Sequence, residues 1–257
     1  MPAVSLEFFG SGTSQGVPII GCTCAVCASP NPMDRRLRAS VLISTQNAKV
    51  LIDCGPDFRQ QMLRSEHAHL DAVVLTHEHM DHVAGLDDLR PLIFAQNQPM
   101  QLWTTDRVEK RLREQFAYAF SARRYPGAPE FELKRIELGA EFTIGDQVWV
   151  PILGQHGTWP VLGFRIGNLV YLTDVSGMDQ PEKEKIRGAE VLVVNALRKT
   201  PHISHFSLDE AIEFARETGV SKVYFTHISH QMGLHHEVNA ELPRGMELAY
   251  DGLKLTT

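Results

Sequence analysis

The sequence contains no uninterrupted apolar run near 18 residues, and its first residues show no basic stretch followed by an apolar one. A membrane-spanning helix and a secretory signal are therefore not expected, whereas a cytoplasmic location is. No internal repeat and no low-complexity tract interrupts the 257 residues. These absences predict one domain over residues 1–257, long enough to bury a core that needs no disulfides.

The excess of one sign of charge over the other is also small. The formal net charge is −6, and no block of five or six like charges occurs along the chain. Proteins that bind nucleic acids through the phosphate backbone need clustered Lys and Arg, so this balance argues against a large nucleic-acid surface. A small molecule is therefore a better expectation for the partner than a nucleic acid or a membrane.

Cysteine is scarce but clustered. Three of the four cysteines, Cys22, Cys24 and Cys27, fall within six residues. Disulfides would be cramped there, and in a reducing compartment the thiols suit a metal ion better, although three free surface thiols are the simpler alternative. Three thiolates need one more ligand to complete a tetrahedral structural zinc site. His230 is the preferred fourth ligand and Cys54 is the alternative.

The apolar pattern indicates short strands mixed with helices. Apolar stretches predict strands at 4–9, 41–45, 50–53, 71–76, 164–166, 169–172, 191–194 and 222–226. Helices are predicted at 81–90, 107–120 and 208–217, the last with Ser207 as N-cap. Turns at Gly167-Asn168 and Asp251-Gly252 predict hairpins. This mixture favours an α/β fold in which two sheets pack face to face beneath helices.

A histidine cluster follows the predicted strand at 71–76. His77, His79, Asp81 and His82 lie within six residues, and imidazole and carboxylate groups at that density suit a borderline divalent cation. The alternative is a solvated polar turn. Four side chains cannot complete two metal sites, so further ligands have to come from elsewhere in the sequence.

Three distant side chains could supply them. His156, Asp174 and His227 each stand at the end of an apolar strand pattern, where the edge of a sheet would collect them. A single His after a strand is more often a hydrogen-bonded structural residue. Together with the cluster, however, the three predict a centre that holds two metal ions.

The order HxHxDH, His, Asp, His resembles the metallo-β-lactamase superfamily. The resemblance implies an αββα four-layer sandwich with two metal ions at one edge of its sheets. It also implies a set of ligands for each ion: His77, His79 and His156 for the first, Asp81, His82 and His227 for the second, with Asp174 bridging. Asp53 matches the aspartate of the superfamily's first motif and would support the ligands, the alternative being an ordinary turn carboxylate.

A narrower resemblance runs through GxxxSQGVPxxGCxCxxC, LTHxHMDHVxG and the string THISHQ. These motifs are similar to those of the cyclic phosphodiesterase of the carbon–phosphorus lyase pathway and its relatives. The similarity implies two catalytic divalent ions (zinc or manganese), one structural zinc that includes His230, and a possible homodimer. It places the general acid at His205. The segments at 54–59 and 195–202 depart from the pattern, so the substrate of that pathway does not follow.

The expected function is hydrolysis of a small cyclic or nucleotide-like phosphodiester. A hydroxide bridging the two ions would attack phosphorus, Asp81 would act as a catalytic metal ligand, and His205 would protonate the leaving group. His202 and Arg198 are candidate phosphate contacts, with solvated loop residues as the alternative. The remaining histidines are predicted to be surface residues: His67, His69, His235 and His236.

Three other functions remain open at this stage. A tRNA 3′-processing endonuclease would share the ligands, but it would need a basic arm that the sequence lacks. A thioester or lactone hydrolase would share the centre and differ in substrate. A non-catalytic zinc-binding carrier would keep the cysteine site, but the intact HxHxDH motif argues against it.

Overall fold

The structure, a computed structural model, describes residues 3–257. Within that range, fourteen strands form two mixed sheets of seven strands each. In spatial order the first sheet contains β14 (Lys254–Thr256), β1 (Ser5–Gly10), β2 (Ser40–Ser44), β3 (Lys49–Ile52), β4 (Ala72–Val74), β5 (Met100–Thr104) and β6 (Phe131–Arg135). The second contains β13 (Met246–Leu248), β12 (Lys222–Thr226), β11 (Val191–Asn195), β10 (Leu169–Tyr171), β9 (Trp159–Ile166), β8 (Gln147–His156) and β7 (Phe142–Ile144).

Helices cover the outer faces of the sheets. They are α1 (Phe58–Arg64), α2 (Met80–Val83), α3 (Arg90–Gln96), α4 (Asp106–Gln115), α5 (Ala117–Phe120), α6 (Gln180–Glu184), α7 (Leu208–Thr218) and α8 (His235–Glu241). Single 3₁₀ turns occur at Pro32–Asp34, Leu86–Leu89 and His230–Met232. In the part of the chain that the structure describes, no helix is both long and apolar enough to cross a membrane.

The apolar strands are buried on both faces. Consecutive side chains of a strand point to opposite sides of its sheet. Val41 and Ile43 of β2 lie in the cluster between the two sheets, whereas Leu42 packs with the helices that cover the first sheet. Val193 of β11 likewise joins the central cluster, and Leu192 packs against α7. The layers are therefore helix, sheet, sheet and helix, and the predicted αββα sandwich is confirmed.

Two of the predicted helices are interrupted. The helix predicted at 81–90 ends at Val83, because the chain bends at Gly85 before it continues as a 3₁₀ turn and then α3. A Cβ at Gly85 would lie 2.0 Å from the carbonyl oxygen of Gly55, so the two loops touch backbone to backbone. The helix predicted at 107–120 breaks at Phe116, whose φ of −113° and ψ of 39° separate α4 from α5.

Of the two predicted hairpins, one is confirmed and one is wrong. At Gly167-Asn168, β9 and β10 pair antiparallel. At Asp251-Gly252, by contrast, the turn joins β13 of the second sheet to β14 of the first, so the strands on either side of it do not pair. The Asp251 carboxylate explains the crossing, because it accepts backbone N–H bonds from Ser11 and Leu37 at 2.9 Å each and so anchors the turn to the first sheet's loops.

The strand ends of both sheets meet at one edge of the sandwich. β3 and β4 run parallel in the first sheet, as do β10, β11 and β12 in the second, so their carboxyl ends point the same way within each sheet. Three polar residues just beyond these strands adopt left-handed backbone conformations: Asp53 with φ 63°, Asp174 with φ 59° and His227 with φ 55°. Such angles are rare outside glycine. Here they mark sharp exits from the strands at the edge where the polar side chains collect.

Candidate metal centre

The first predicted ligand group comes together as three imidazoles, two of which are held by hydrogen bonds at their Nδ1 atoms. The Nδ1 of His77 contacts the Thr76 hydroxyl at 2.9 Å, and the Nδ1 of His156 donates to the Ser204 carbonyl oxygen at 2.7 Å. These bonds engage the Nδ1 atoms, so Nε2 is the nitrogen of each ring that is available to a metal ion. The Nε2 of His77 lies 3.0 Å from the Nδ1 of His79, and one nitrogen from each of the three rings falls within 4.8 Å of the others.

The second group lies directly beside the first. It contains Asp81, His82, Asp174 and His227, again with ligand atoms within 4.8 Å of one another. The Nε2 of His82 lies 3.2 Å from an oxygen of Asp81 and 3.2 Å from an oxygen of Asp174. The Nε2 of His227 lies 3.2 Å from Asp174. The ring centroids of His77 and His82 are 4.3 Å apart, so the two groups form one continuous centre.

The imidazole nitrogens and carboxylate oxygens of the two groups are placed better as ligands of divalent cations than as hydrogen-bond partners of one another. Although the Nε2 atoms of His82 and His227 are buried close to carboxylate oxygens, neither has a hydrogen-bond partner in the described chain. Two ligands at about 2.0–2.2 Å from one ion stand about 2.8–3.6 Å apart at octahedral or tetrahedral angles. The spacings of 3.0–3.2 Å agree with that value, and the mixed His and Asp set suits zinc, manganese or iron(II).

Asp53 supports this centre from behind. It is fully buried, and its carboxylate accepts from the Thr76 backbone N–H at 2.9 Å, from the Thr76 hydroxyl at 2.8 Å and from the Nδ1 of His82 at 2.7 Å. The bond to His82 fixes the tautomer in which Nε2 is free for a metal. Asp53 therefore holds one predicted ligand, His82, and one neighbour of the centre, Thr76, in place.

Substitution Asp53→Asn tests this role. An amide can reproduce some of the accepted bonds but not all three, so His82 loses its fixed orientation. We expect affinity for the metal at the second group to fall about 10–100-fold, with the affinity at the first group changing less. Competitive metal titration against a chelator measures both, and an unchanged second affinity would show that Asp53 is an ordinary turn residue.

Burial and charge act in opposite directions on the ligands of the metal-free protein. Burial, reinforced by the neighbouring His82, lowers the pKa of His77 well below its usual value. Burial also works against a charge on His82, but Asp81, Asp174 and Asp53 together raise the pKa of that imidazole well above its usual value. The metal-free centre is therefore expected to keep His82 in its cationic form at neutral pH, with a second proton on Nε2.

A metal ion has to displace that proton. We expect loading of the second group to release about one proton per chain near neutral pH, and metal affinity to rise with pH until His82 is neutral in the free protein. Calorimetric titrations in buffers of different ionisation enthalpy measure the release. A binding enthalpy independent of the buffer would contradict a protonated His82.

His205 reaches the centre from the loop before α7. Its Nε2 donates to an Asp174 carboxylate oxygen at 2.9 Å, and its ring packs against that of His156 at 4.6 Å. Burial lowers the pKa of His205, which the bond to Asp174 partly opposes. The predicted general acid therefore stands in contact with the predicted bridging ligand.

The two predicted phosphate contacts lie on the same loop. The Nδ1 of His202 is 3.2 Å from the Nδ1 of His205. The Arg198 guanidinium donates to the carbonyl oxygens of Thr200 at 3.1 Å and Pro201 at 2.8 Å. These bonds hold the loop that carries both histidines, and a contact between Arg198 and substrate stays a prediction.

A separate site gathers the cysteine cluster. The Nδ1 of His230 lies 3.4 Å from the Sγ of Cys22, 3.3 Å from that of Cys24 and 3.6 Å from that of Cys27. A tetrahedral zinc with bonds of about 2.3 Å to sulfur and 2.0–2.1 Å to nitrogen separates such atoms by about 3.6 Å. Cys54, the alternative fourth ligand, is fully buried in the core beneath the helices of the first sheet. The structure thus groups His230, and not Cys54, with the three thiols.

Substitution Cys24→Ser tests whether this site carries a structural ion. Loss of one of four ligands is expected to remove about one zinc per chain and to lower the unfolding temperature by at least about 5 °C, because the ion ties the 22–27 loop to His230. The exposed neighbour Thr23 provides the control substitution Thr23→Ser. Equal zinc content and equal unfolding temperatures for the two variants would contradict a structural ion.

The histidines predicted to be surface residues divide into exposed, half-buried and buried ones. His69 and His236 are exposed, as predicted. His235 is buried, and this prediction is wrong: its Nδ1 accepts from the fully buried Arg36 guanidinium at 3.1 Å. Burial and the charge of Arg36 lower the pKa of His235 to about 4, so the ring is neutral. His67 is half-buried against Glu7.

The sequence patterns missed two neighbours of the centre. Thr76 is buried and connects Asp53 with His77 through its hydroxyl. Trp159 packs its ring against that of His79 at 5.5 Å, next to a cleft of about 560 Å³. The only sequence signal for Thr76 is its place before the cluster, and Trp159 has none beyond its closeness to His156.

A family model described as a beta-lactamase superfamily domain matches residues 48–228, more than half of the chain. The chain therefore belongs to the metallo-β-lactamase superfamily of hydrolases, and it carries the metal-binding residue groups described above. The earlier prediction of that superfamily is confirmed.

Known proteins similar to the chain point to more than one activity. A crystal structure of a diphosphatase from the PhnP family has 40% sequence identity and a TM-score of 0.93, covering 99% of this chain and 97% of that one. An octanoyltransferase from Porphyromonas gingivalis is 39% identical over 95% of this chain. The chain spans only 50% of that protein's length. A ribonuclease Z from Methanopyrus kandleri is 28% identical over 77% of this chain and 83% of its own length.

Proposed function

We propose that the protein is a binuclear metal-dependent hydrolase that acts on a small molecule in which phosphorus carries two bridging oxygens. A phosphodiester and a diphosphate both meet that description. One observation carries the proposal: two predicted ligand groups share an edge of the sandwich, and His205, which belongs to neither predicted set, donates to Asp174 and lies within 4.8 Å of the ligand atoms of His156 and Asp174. The 40% identity to a PhnP-family diphosphatase supports the same chemistry.

The charges of the site suit such a phosphate. Two divalent ions, when bound, lower the pKa of coordinated water toward ~7 and neutralise negative charge on phosphate oxygens. The carboxylates of Asp81 and Asp174 offset half of the ions' charge, which leaves a net positive centre for a phosphate monoanion. The Asp174 carboxylate stands between His82, His227 and His205, where it can fix all three.

His205 supplies the proton that the leaving group needs. Its Nε2 is held by Asp174 at 2.9 Å, and the Ser204 hydroxyl lies 3.1 Å from its Nδ1. A departing alkoxide gains most from such a donor, since it is the most basic group that the reaction releases.

A small substrate fits the surroundings better than tRNA does. The cleft beside His79 and His156 has a volume of about 560 Å³, within the range of about 300–1,000 Å³ of small-molecule sites. The net charge of −6 gives no excess of Lys and Arg for a phosphate backbone. Ribonuclease Z activity is therefore the second choice, although a relative of that name matches the chain.

A substrate panel tests the proposal. Protein reconstituted with zinc or manganese is assayed on bis(p-nitrophenyl) phosphate, a 2′,3′-cyclic nucleotide, a dinucleoside diphosphate, an octanoyl thioester and a pre-tRNA. Hydrolysis of one or more of the first three at least about 10²-fold faster than the thioester and the pre-tRNA is the expected result. Preference for the thioester would instead agree with the acyl chemistry in the octanoyltransferase's name. No turnover with about one zinc per chain would favour a binding protein.

A further inference from the structure

A tryptophan that takes no part in the proposed chemistry stands beside the metal centre. Trp159 follows the turn Gly157-Thr158 and pairs across the β8–β9 hairpin with His156. Its ring lies 5.5 Å from that of His79, and the residue is 44% exposed. The exposed part of the indole lines the cleft that also contains the predicted metal ligands His79 and His156.

The indole is held in place from the side of the first sheet. The Arg107 guanidinium carbon lies 4.4 Å from the centre of the Trp159 ring, in cation–π contact. Arg107 in turn donates through Nε to a Glu78 oxygen at 2.7 Å, and Glu78, between the two histidines at 77 and 79, is buried. Because Glu78 balances the charge of Arg107, the guanidinium serves as a flat support for the ring.

The cleft that Trp159 lines has a second exposed apolar side chain. Ile203, on the loop before His205, is 92% exposed and lines the same cleft, together with His79, His156 and Ser204. Two apolar groups, one at the start of β9 and one on the loop before His205, therefore line one small-molecule-sized space that adjoins the metal ligands. Phosphate chemistry at the centre has no use for either of them.

We propose that Trp159 is a stacking platform for the nucleobase of a nucleotide substrate whose phosphate is held at the metal centre. Aromatic side chains bind any base through its π-face, and a ring fixed from behind loses little freedom on binding. Ile203 supplies the second apolar wall of the base subsite. This inference rests on the proposed function and narrows its substrate class to nucleotides.

Binding of two ligands that differ only in the base tests the platform without turnover. Metal-loaded protein is titrated calorimetrically with AMP and with ribose 5-phosphate, which carry the same phosphate and sugar. We expect AMP to bind about 5- to 150-fold more tightly. In Trp159→Ala the two ligands should bind within about twofold of each other, whereas Trp159→Phe keeps most of the preference and Arg107→Met keeps an intermediate part of it.

The outcomes separate the platform from the proposed function. Equal affinities for AMP and ribose 5-phosphate in the native protein overturn the platform, as does an unchanged preference in a Trp159→Ala protein of normal metal content. Tighter binding of octyl phosphate than of AMP overturns it in favour of an alkyl subsite. Base-dependent AMP binding without hydrolysis of any phosphodiester or diphosphate leaves the platform standing and removes the function. Hydrolysis of these substrates without base-dependent binding supports the proposed function and overturns the platform.

Discussion

Replacing Asp174 with alanine is expected to reduce turnover of the best phosphate substrate by at least about 10³-fold, because the rate factors of ~10⁶ or more that such enzymes supply depend on the bound ions. The carboxylate of Asp174 contacts His82, His227 and His205 together. Its loss removes the negative charge beside His82 and His227 and frees the proposed proton donor, His205. The metal content should fall from about three ions per chain to about one, with the cysteine site retained.

Asp179→Ala is the matched control for Asp174. Asp179 lies five positions after Asp174 and is exposed. It precedes α6, but its side chain makes no capping hydrogen bond. We expect this variant to keep native turnover and about three ions per chain. Elemental analysis and kinetics on both proteins decide the point, and an Asp174→Ala protein with normal turnover would remove Asp174 from the centre.

Replacing His205 with alanine should impair the reaction in proportion to the basicity of the leaving group. For a substrate that releases an alkoxide, such as a 2′,3′-cyclic nucleotide, kcat is expected to fall about 10²–10⁴-fold. For bis(p-nitrophenyl) phosphate the fall should stay below about tenfold, because p-nitrophenolate departs without a proton. His205 lies beside the ligand groups but donates through Nε2 to Asp174, so the metal content should change little.

The control for His205 is His236→Ala, an exposed imidazole at the start of α8. It should leave both substrates unaffected. Equal losses on both substrates in His205→Ala, accompanied by loss of metal, would identify His205 as a ligand. Equal losses without loss of metal would make it a positioning residue.

The parts of this architecture that follow from local patterns could be predicted from the sequence. Strands buried on both faces appear as apolar runs, and Ser207 followed by Glu210 forms the predicted N-cap of α7 with a full capping box. Ligands of this fold stand directly after such strands, so His77, Asp174 and His227 could be named as candidates before their positions in space were known.

Features that depend on a distant partner could not be predicted in this way. The Asp251-Gly252 turn has the chemistry of a hairpin, but bonds to Ser11 and Leu37 decide that it crosses between sheets. His235 looks like a surface residue until Arg36, far away in the sequence, is placed against it.

Close contacts between backbone segments and between side-chain groups could not be predicted from the sequence either. The backbone contact between the Gly85 and Gly55 loops ends a helix that the apolar spacing would continue. The position of the Trp159 ring depends on its contact with Arg107, which comes from α4 on the first sheet, whereas Trp159 belongs to the second. No periodic pattern carries either contact, because each joins segments whose separation in sequence is set by the topology.

The most direct test is anomalous diffraction from a crystal of the protein loaded with manganese or zinc. We predict two ions at the edge of the sandwich, with Asp174 touching both and three further ligands on each: His77, His79 and His156 on one, Asp81, His82 and His227 on the other. A well-ordered crystal grown with excess metal that shows a single ion there, or none, with His156, Asp174 or His227 turned away, would contradict the two-metal centre and the function built on it.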